Sequence, residues 1–254
     1  MQDPTGKKAD QGLIAVAKSK TTAAIVEVNC NSDFVAKTAE FQRIVKDAAE
    51  TTLKTFTENT DKISLMGEEI LRLKIPGKDD TLQEEVALAI GKLKENIVIN
   101  RGCILNAPPG GFIASYIHPS VLVSATRPGF TLGSFAVIAS MSCHDVESSA
   151  TAVRLRGRDL CQHIVGMKPA VIGEKRVEVL NETKVKENSL DVNSVSGTVE
   201  EHEVRKYPPP NDRSDHLMRQ PFLLDTDISV EHWLEMAGLE IHDFIRYQVG
   251  ENVK

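Results

Sequence analysis

The sequence has no excess of positive charge: 30 Lys and Arg stand against 36 Asp and Glu, a formal net charge of -6. An acidic chain has no general attraction to a phosphate backbone, which disfavours a nucleic-acid role. Cysteine is sparse and scattered. Cys30, Cys103, Cys143 and Cys161 form no CxxC pair, so neither a zinc knuckle nor a disulfide framework is signalled, and a reducing compartment fits. There is no apolar run of about 18 residues for a membrane helix. The start, Met1-Gln2-Asp3-Pro4, has the layout of neither a secretory signal nor an Arg-rich, acid-poor organelle presequence. A GxxxxGK[ST] phosphate loop and a GxGxxG turn are also missing, and Gly110-Gly111 follows two prolines without a Lys or Ser to complete an anion cradle. The seven histidines show no HExxH or paired spacing that would set two ligands on one helical face. No cofactor or metal is indicated.

The chain does have enough apolar residues for a core: 41% of 254 positions, sufficient for one large or two modest domains. Residues 1–11 read as an exposed polar arm. Gly12-Leu13-Ile14-Ala15-Val16-Ala17 and Ala23-Ala24-Ile25-Val26-Glu27-Val28-Asn29 then alternate with period two around Lys18-Ser19-Lys20-Thr21-Thr22, which predicts a hairpin. From Ser32 the period turns helical, through Phe41, Ile44, Val45, Ala48 and Leu53, with Ser32 as N-cap and Asp33 favoured in the first turn by the helix dipole. A second helix is predicted over 82–94 with Val86, Leu88, Ala89, Ile90 and Leu93 as its apolar face, followed by a strand from Ile97 towards Leu105.

The second half reads in the same order. Strands over 112–117 and 134–139 precede a helix over 146–165 stopped by Gly166 and Pro169, and a closing strand covers 244–249. Laying Ala24 on Ala136 brings Asp33 onto Asp145, which suggests duplication. Residues 173–219 are polar and read as an inserted, extended segment. The expected class is α+β, with two related half-domains at 12–106 and 107–254, each a small antiparallel sheet packed with helices.

An assembled catalytic site is not visible. Cys161 and His163 diverge at i and i+2 of a helix, which reads as a buried thiol beside a surface imidazole. Asp33 has no second carboxylate or histidine near it in sequence, so capping explains it more simply than acid–base work. Arg154, Arg156 and Arg158 fan around the helix as solvated charge. Phe34 has two readings. Helical spacing aligns it with Phe41, Val45 and Ala48 as a core or staple residue, whereas its place just inside a helix start lets it project from a corner.

The stretch Glu27-Val28-Asn29-Cys30-Asn31-Ser32-Asp33-Phe34-Val35-Ala36-Lys37 closely resembles the signature of elongation factor Ts, the exchange factor for elongation factor Tu, where members usually read E-V-N-C-x-T-D-F-V-A-K. Ser32 replaces the common Thr and keeps its hydroxyl. Gly12-Leu13-Ile14, Ser115-Tyr116-Ile117-His118, Gln220-Pro221-Phe222-Leu223-Leu224-Asp225 and Phe244-Ile245-Arg246-Tyr247-Gln248-Val249 resemble further family blocks in the right order. Lys94-Glu95-Asn96 looks like a G-E-N element with Lys94 in place of Gly. His163-Ile164-Val165-Gly166-Met167-Lys168-Pro169 and Ala107-Pro108-Pro109-Gly110-Gly111-Phe112 resemble the mitochondrial members of animals, which implies the mitochondrial matrix.

What the resemblance implies is a binding protein that promotes GDP release from elongation factor Tu and makes no covalent bonds itself; a chaperone-like stabiliser of that GTPase is the alternative. Phe34 would be the wedge entering the partner's nucleotide domain and Asp33 its polar anchor, with Ser32 and Val35 beside them. A second contact would involve His163, Gly166 and Met167, residues that could equally just end and pack their helix. The N-terminal helical module that normally precedes Lys7-Lys8-Ala9 in the family does not appear in this sequence, and its absence is expected to weaken exchange.

Overall fold

The computed structural model describes residues 9–56, 60–119, 130–145, 147–175, 178–185, 199–207 and 209–251. The arm at 1–8 lies outside them. The predicted hairpin is present: β1 (Gln11–Lys18) pairs antiparallel with β2 (Thr22–Cys30), Gln11 opposite Cys30. Leu13, Ala15, Val26 and Val28 bury on one face and Ile14, Val16 and Ile25 on the other, which explains the nearly continuous apolar runs. Gly12 has φ 149°, and a Cβ there would lie 2.2 Å from the Val28 carbonyl oxygen. Only glycine tolerates that approach.

The helix read from Ser32 onward is in fact two, α1 (Asp33–Ala36) and α2 (Ala39–Thr55). Thr38 makes the break by adopting an extended backbone and capping α2. It accepts from the Phe41 amide at 3.2 Å while its hydroxyl donates to the Val35 carbonyl at 2.8 Å. The break takes Phe34 out of the row formed by Phe41, Val45 and Ala48.

Strand β3 (Lys62–Met66) and the short helix α3 (Gly67–Leu71) escaped the sequence reading. Helix α4 (Leu82–Leu93) starts where predicted, at a capping box of Thr81 and Glu84, but its buried face is Leu82, Glu85, Val86 and Ala89. Leu88 and Ile90, expected on that face, are 58% and 37% exposed. Glu85 is accommodated because Arg43 of α2 donates to it at 2.8 Å and Lys78 at 2.6 Å. Strand β4 (Ile97–Asn106) follows, then β5 (Phe112–His118), β6 (Phe130–Gly133) and β7 (Phe135–Cys143). Helix α5 (Ala150–Met167) begins later than the expected residue 146, because Ser149 caps it by accepting from the Ala152 amide at 3.2 Å. It also runs through Gly166, ending where Lys168 turns left-handed at φ 51° before Pro169. Strands β8 (Glu178–Val185), β9 (Val199–Lys206), β10 (Pro221–Phe222) and β11 (Asp225–Ser229), helix α6 (Val230–Ala237) and strand β12 (Leu239–Gln248) complete the order. The closing strand therefore opens five residues before the expected 244.

The fold is α+β and divides into two compact units: residues 1–168 with 237–254, and residues 169–236. In the first, a five-stranded sheet runs β3-β4-β2-β1-β6 and a three-stranded sheet runs β12-β7-β5, both antiparallel. Helices α1 to α4 cover one face of the larger sheet around Phe41, Ile44 and Val45. Its other face meets the smaller sheet through Ile14, Val16, Ile25, Ile113, Ala136 and Ile138. Helix α5 lies on the far side of the smaller sheet, close enough that a Cβ on Gly157 would come 2.9 Å from the Cβ of Ala114. Chain 107–254 contributes β6 to the larger sheet, where Ile14 faces Gly133, so the boundary expected at 106 runs through this unit. Asp33 opens a helix, whereas Asp145 holds a turn ahead of α5, accepting from the Glu147 amide at 3.1 Å and from the Ser148 hydroxyl.

In the second unit β8 and β9 form an antiparallel ribbon from Glu178 opposite Lys206 to Val185 opposite Val199, within the segment read as an insert. The hairpin of β10 and β11 leads into α6, with Phe222 stacked on Trp233 at 4.2 Å between ring centroids.

Between the two sheets of the first unit lies a buried ion pair. Glu27 of β2 is fully buried and accepts from Arg101 Nε of β4 at 2.7 Å, from Asn29 Nδ2 at 3.1 Å and from the Gly250 amide at 2.8 Å. The Arg101 guanidinium also sits over the Tyr247 ring of β12, 4.1 Å from its centroid. Removing one member of such a pair strands the other charge away from water. Arg101→Met is therefore expected to lower stability by about 3–5 kcal/mol in urea unfolding, with part of the loss recovered by adding Glu27→Gln.

Candidate partner-docking site

The resemblance-bearing stretch sits where β2 runs out of the sheet. Ser32 stays extended (φ -136°, ψ 147°) and caps α1, accepting from the Val35 amide at 3.4 Å and donating its hydroxyl to Glu95 Oε1 at 3.1 Å. Behind it, Cys30 donates its thiol to the Ser32 carbonyl at 3.1 Å. Burial raises that thiol to about 11, which keeps it protonated and unreactive. Val35 and Ala36 turn inward at 9% and 7% exposure, so the single turn is anchored on its inner side.

Its outer side carries Asp33, Phe34 and Lys37. Phe34 is 78% exposed, which overturns the core reading. The Lys37 ammonium reaches Asp33 Oδ2 at 2.9 Å and lies 5.9 Å from the centroid of the Phe34 ring. Its hydrogen bond holds the Asp33 carboxyl below the usual range, so Asp33 is ionised at neutral pH. Sequence reasoning singled out Ser32, Asp33, Phe34 and Val35; it missed Lys37 and Glu95 as supports, although Lys37 at i+4 from Asp33 was a legible signal.

Helix α4 reaches the same corner. It ends at Lys94, a non-glycine residue in the left-handed region (φ 56°, ψ 31°), whose amide donates to the Ile90 carbonyl at 2.9 Å. That turn delivers Glu95 to Ser32. The structure thus explains why glycine is usual at this position: Lys94 occupies a conformation that favours it.

The second group of candidates lies on α5, across both sheets from α1. His163 is fully buried, contrary to the surface imidazole expected. Gly166 is exposed and Met167 partly so. Cys161 is likewise fully buried and its thiol is pushed up to about 12. Arg156 is not free charge either: it donates to Ser148 Oγ at 2.9 Å and to the Ala237 carbonyl at 3.0 Å. Asp33 meets a lysine, and among the described residues no three His, Cys, Asp or Glu side chains converge as metal ligands.

An exposed aromatic on a capped, anchored turn of an α+β protein is a surface suited to contact with another protein. The family model described as Elongation factor TS matches residues 31–251, and the chain belongs to that family of elongation factors of protein biosynthesis. It is similar to the mitochondrial elongation factor Ts of Xenopus laevis, 31% identical over 258 residues, covering 98% of this chain and 71% of the relative. The counterpart in Branchiostoma floridae is 32% identical over 255 residues, covering 96% and 73%, and the human one 28% over 253 residues, covering 97% and 67%.

Two substitutions probe this corner from opposite directions. Lys94→Gly relieves the left-handed conformation and is expected to stabilise by about 0.5–1 kcal/mol, net of glycine's extra freedom when unfolded. Ser32→Ala removes the cap and is expected to destabilise by about 1 kcal/mol. Urea unfolding reads both.

Proposed function

We propose that this chain is a guanine nucleotide exchange factor for elongation factor Tu, acting in the mitochondrial matrix and promoting GDP release during translation elongation. The observation that carries the reading is Phe34, a large aromatic kept in solvent on a turn whose next two residues, Val35 and Ala36, are buried. Bringing it into a partner removes apolar surface from water, worth roughly 1.5–3 kcal/mol, or about one to two orders of magnitude in an equilibrium constant. Asp33, ionised and held by Lys37, supplies a directional acceptor beside it. Ser32 and Val35 hold the turn from within and need not touch the partner.

The action on GDP is physical. A magnesium ion and phosphate-loop amides hold the nucleotide in the GTPase through strong, distance-sensitive electrostatics, so a wedge that displaces them slightly weakens binding greatly. Linkage makes the effect mutual: the exchange factor is bound less tightly when nucleotide is present. A single Phe is too small a lever to act alone, so the proposal includes a second contact at the end of α5, through Gly166 and Met167. His163 is buried and so takes no direct part in that contact. Nothing in this mechanism requires a cofactor or covalent chemistry in the chain itself.

Release of a fluorescent GDP analogue from mitochondrial elongation factor Tu, with and without this chain, tests the proposal. Phe34→Ala is expected to lower the acceleration by about 10–100-fold. Because Phe34 is exposed, the same substitution should change folding stability by less than about 0.5 kcal/mol. Unchanged acceleration in the variant would refute the wedge, and tight binding without any acceleration would favour a stabilising partner instead.

A further inference from the structure

Lys18 ends β1 directly after the buried run from Leu13 to Ala17 and is itself only partly exposed. Its side-chain nitrogen donates to the hydroxyl of Ser115 on β5 at 2.7 Å. Among the described residues no carboxylate pairs with it. Other anchored lysines of the chain do meet an acid: Lys37 reaches Asp33, Lys62 reaches Asp243, Lys78 reaches Glu85 and Lys92 reaches Glu40. Lys18 meets a neutral hydroxyl instead.

The groups around it do not favour a cation. Opposite Lys18 on β2 stands Ala23, and α5 contributes the Arg154 guanidinium and the Cys161 thiol. Burial pushes the Lys18 ammonium below its ordinary range; Cys161 acts the other way, and Arg154 adds to the lowering. Cys161 can raise Lys18 only as a thiolate, and its own burial, which lifts it to about 12, keeps it uncharged at neutral pH. A lysine that is desolvated beside another cation gives up its proton more readily, and the free amine is a nucleophile. With Ser115 Oγ accepting one N–H, the lone pair of that amine is left for an electrophile. Access comes from the turn and the sheet edge, because Ser19 and Lys20 are exposed and β5 is an edge strand of the three-stranded sheet. Arg154 is exposed as well, so it meets an anionic reagent in water before the amine does.

We propose that Lys18 is a modification site, acylated at its amine by anionic acyl thioesters, with Ser115 orienting the amine and Arg154 drawing in the donor. The nitrogen lone pair attacks the thioester carbonyl carbon. The C–N bond of an amide forms as the C–S bond breaks, the electron pair leaves on sulfur, and the proton lost from nitrogen ends on the released thiol. The product is uncharged, which suits a half-buried place that offers no counter-ion. This site lies apart from Phe34 and does not rest on the exchange reading.

Incubating the full chain with acetyl-CoA and following each lysine by peptide mass spectrometry tests the proposal. Near neutral pH Lys18 should be acetylated at least about fivefold faster than Lys20, its exposed neighbour, and its rate should level off at a lower pH than that of Lys20. In urea, where burial is lost, the two lysines should react alike. Arg154→Gln, at an exposed position, should slow Lys18 about threefold with acetyl-CoA and less with the uncharged thioester S-ethyl thioacetate. Lys18 reacting no faster than Lys20, the same pH profile for both, an advantage that survives urea, or an Arg154→Gln variant as fast as the wild type with acetyl-CoA would each overturn the proposal.

Discussion

A fully buried carboxylate is the constraint around which the first unit is arranged. A carboxylate between two sheets is costly unless its oxygens are satisfied, and three different parts of the chain satisfy those of Glu27: Arg101 from β4, Asn29 two residues along β2, and the Gly250 amide beyond β12. The pair therefore does more than join two strands. It fixes β2 against β4 and ties the chain's last strand to the sheet that carries the docking turn. Replacing the network with apolar residues could match its stability, but an apolar filler has no directional bonds with which to specify one register. Asn29 also donates to the Gln11 carbonyl at 3.2 Å, so the same network reaches the start of β1. The docking turn starts three residues past Asn29, and its position follows from the strand held here.

From that fixed strand end, buried and exposed groups divide the work by residue. Cys30, Val35 and Ala36 are core; Ser32 and Glu95 are polar links; Asp33, Phe34 and Lys37 face water. Each inward residue raises the stability of the turn, and each outward one contributes little to it. The contrast is sharpest between neighbours: Phe34 at 78% exposure and Val35 at 9% differ by one step around the same helical turn.

How far the sequence exposes this arrangement depends on whether the signal is periodic. The hairpin, α4, β4, β5, β7 and α5 were legible because their apolar residues recur at two- or three-to-four-residue spacing. Strand β3 was not, being five residues long with exposed Lys62 and Met66 at its ends. The break at Thr38 was invisible because a threonine between Ala36 and Phe41 fits a continuous helix equally well until its hydroxyl is seen capping one. Periodicity also names apolar positions without saying which face turns inward, hence the exposed Leu88 and Ile90 and the buried His163. Phe34 shows the same limit at the site itself. Pattern favoured the core, and only the resemblance, or the coordinates, could place it outside.

A helix of four residues cannot form by propensity, because nucleation alone outweighs what one turn returns. That α1 exists at all is due to tertiary supports: the Ser32 cap at its start, the Thr38 hydroxyl on the Val35 carbonyl at its end, and two buried side chains beneath. Such a turn is ordered before any partner arrives, and little conformational entropy remains to be lost when Phe34 is covered. Its exposed residues are then free of folding duties. This explains how the chain can keep a phenylalanine in water at a fixed place: the fold is stabilised entirely by residues on either side of it, and the binding energy of the ring stays available for contact with another protein.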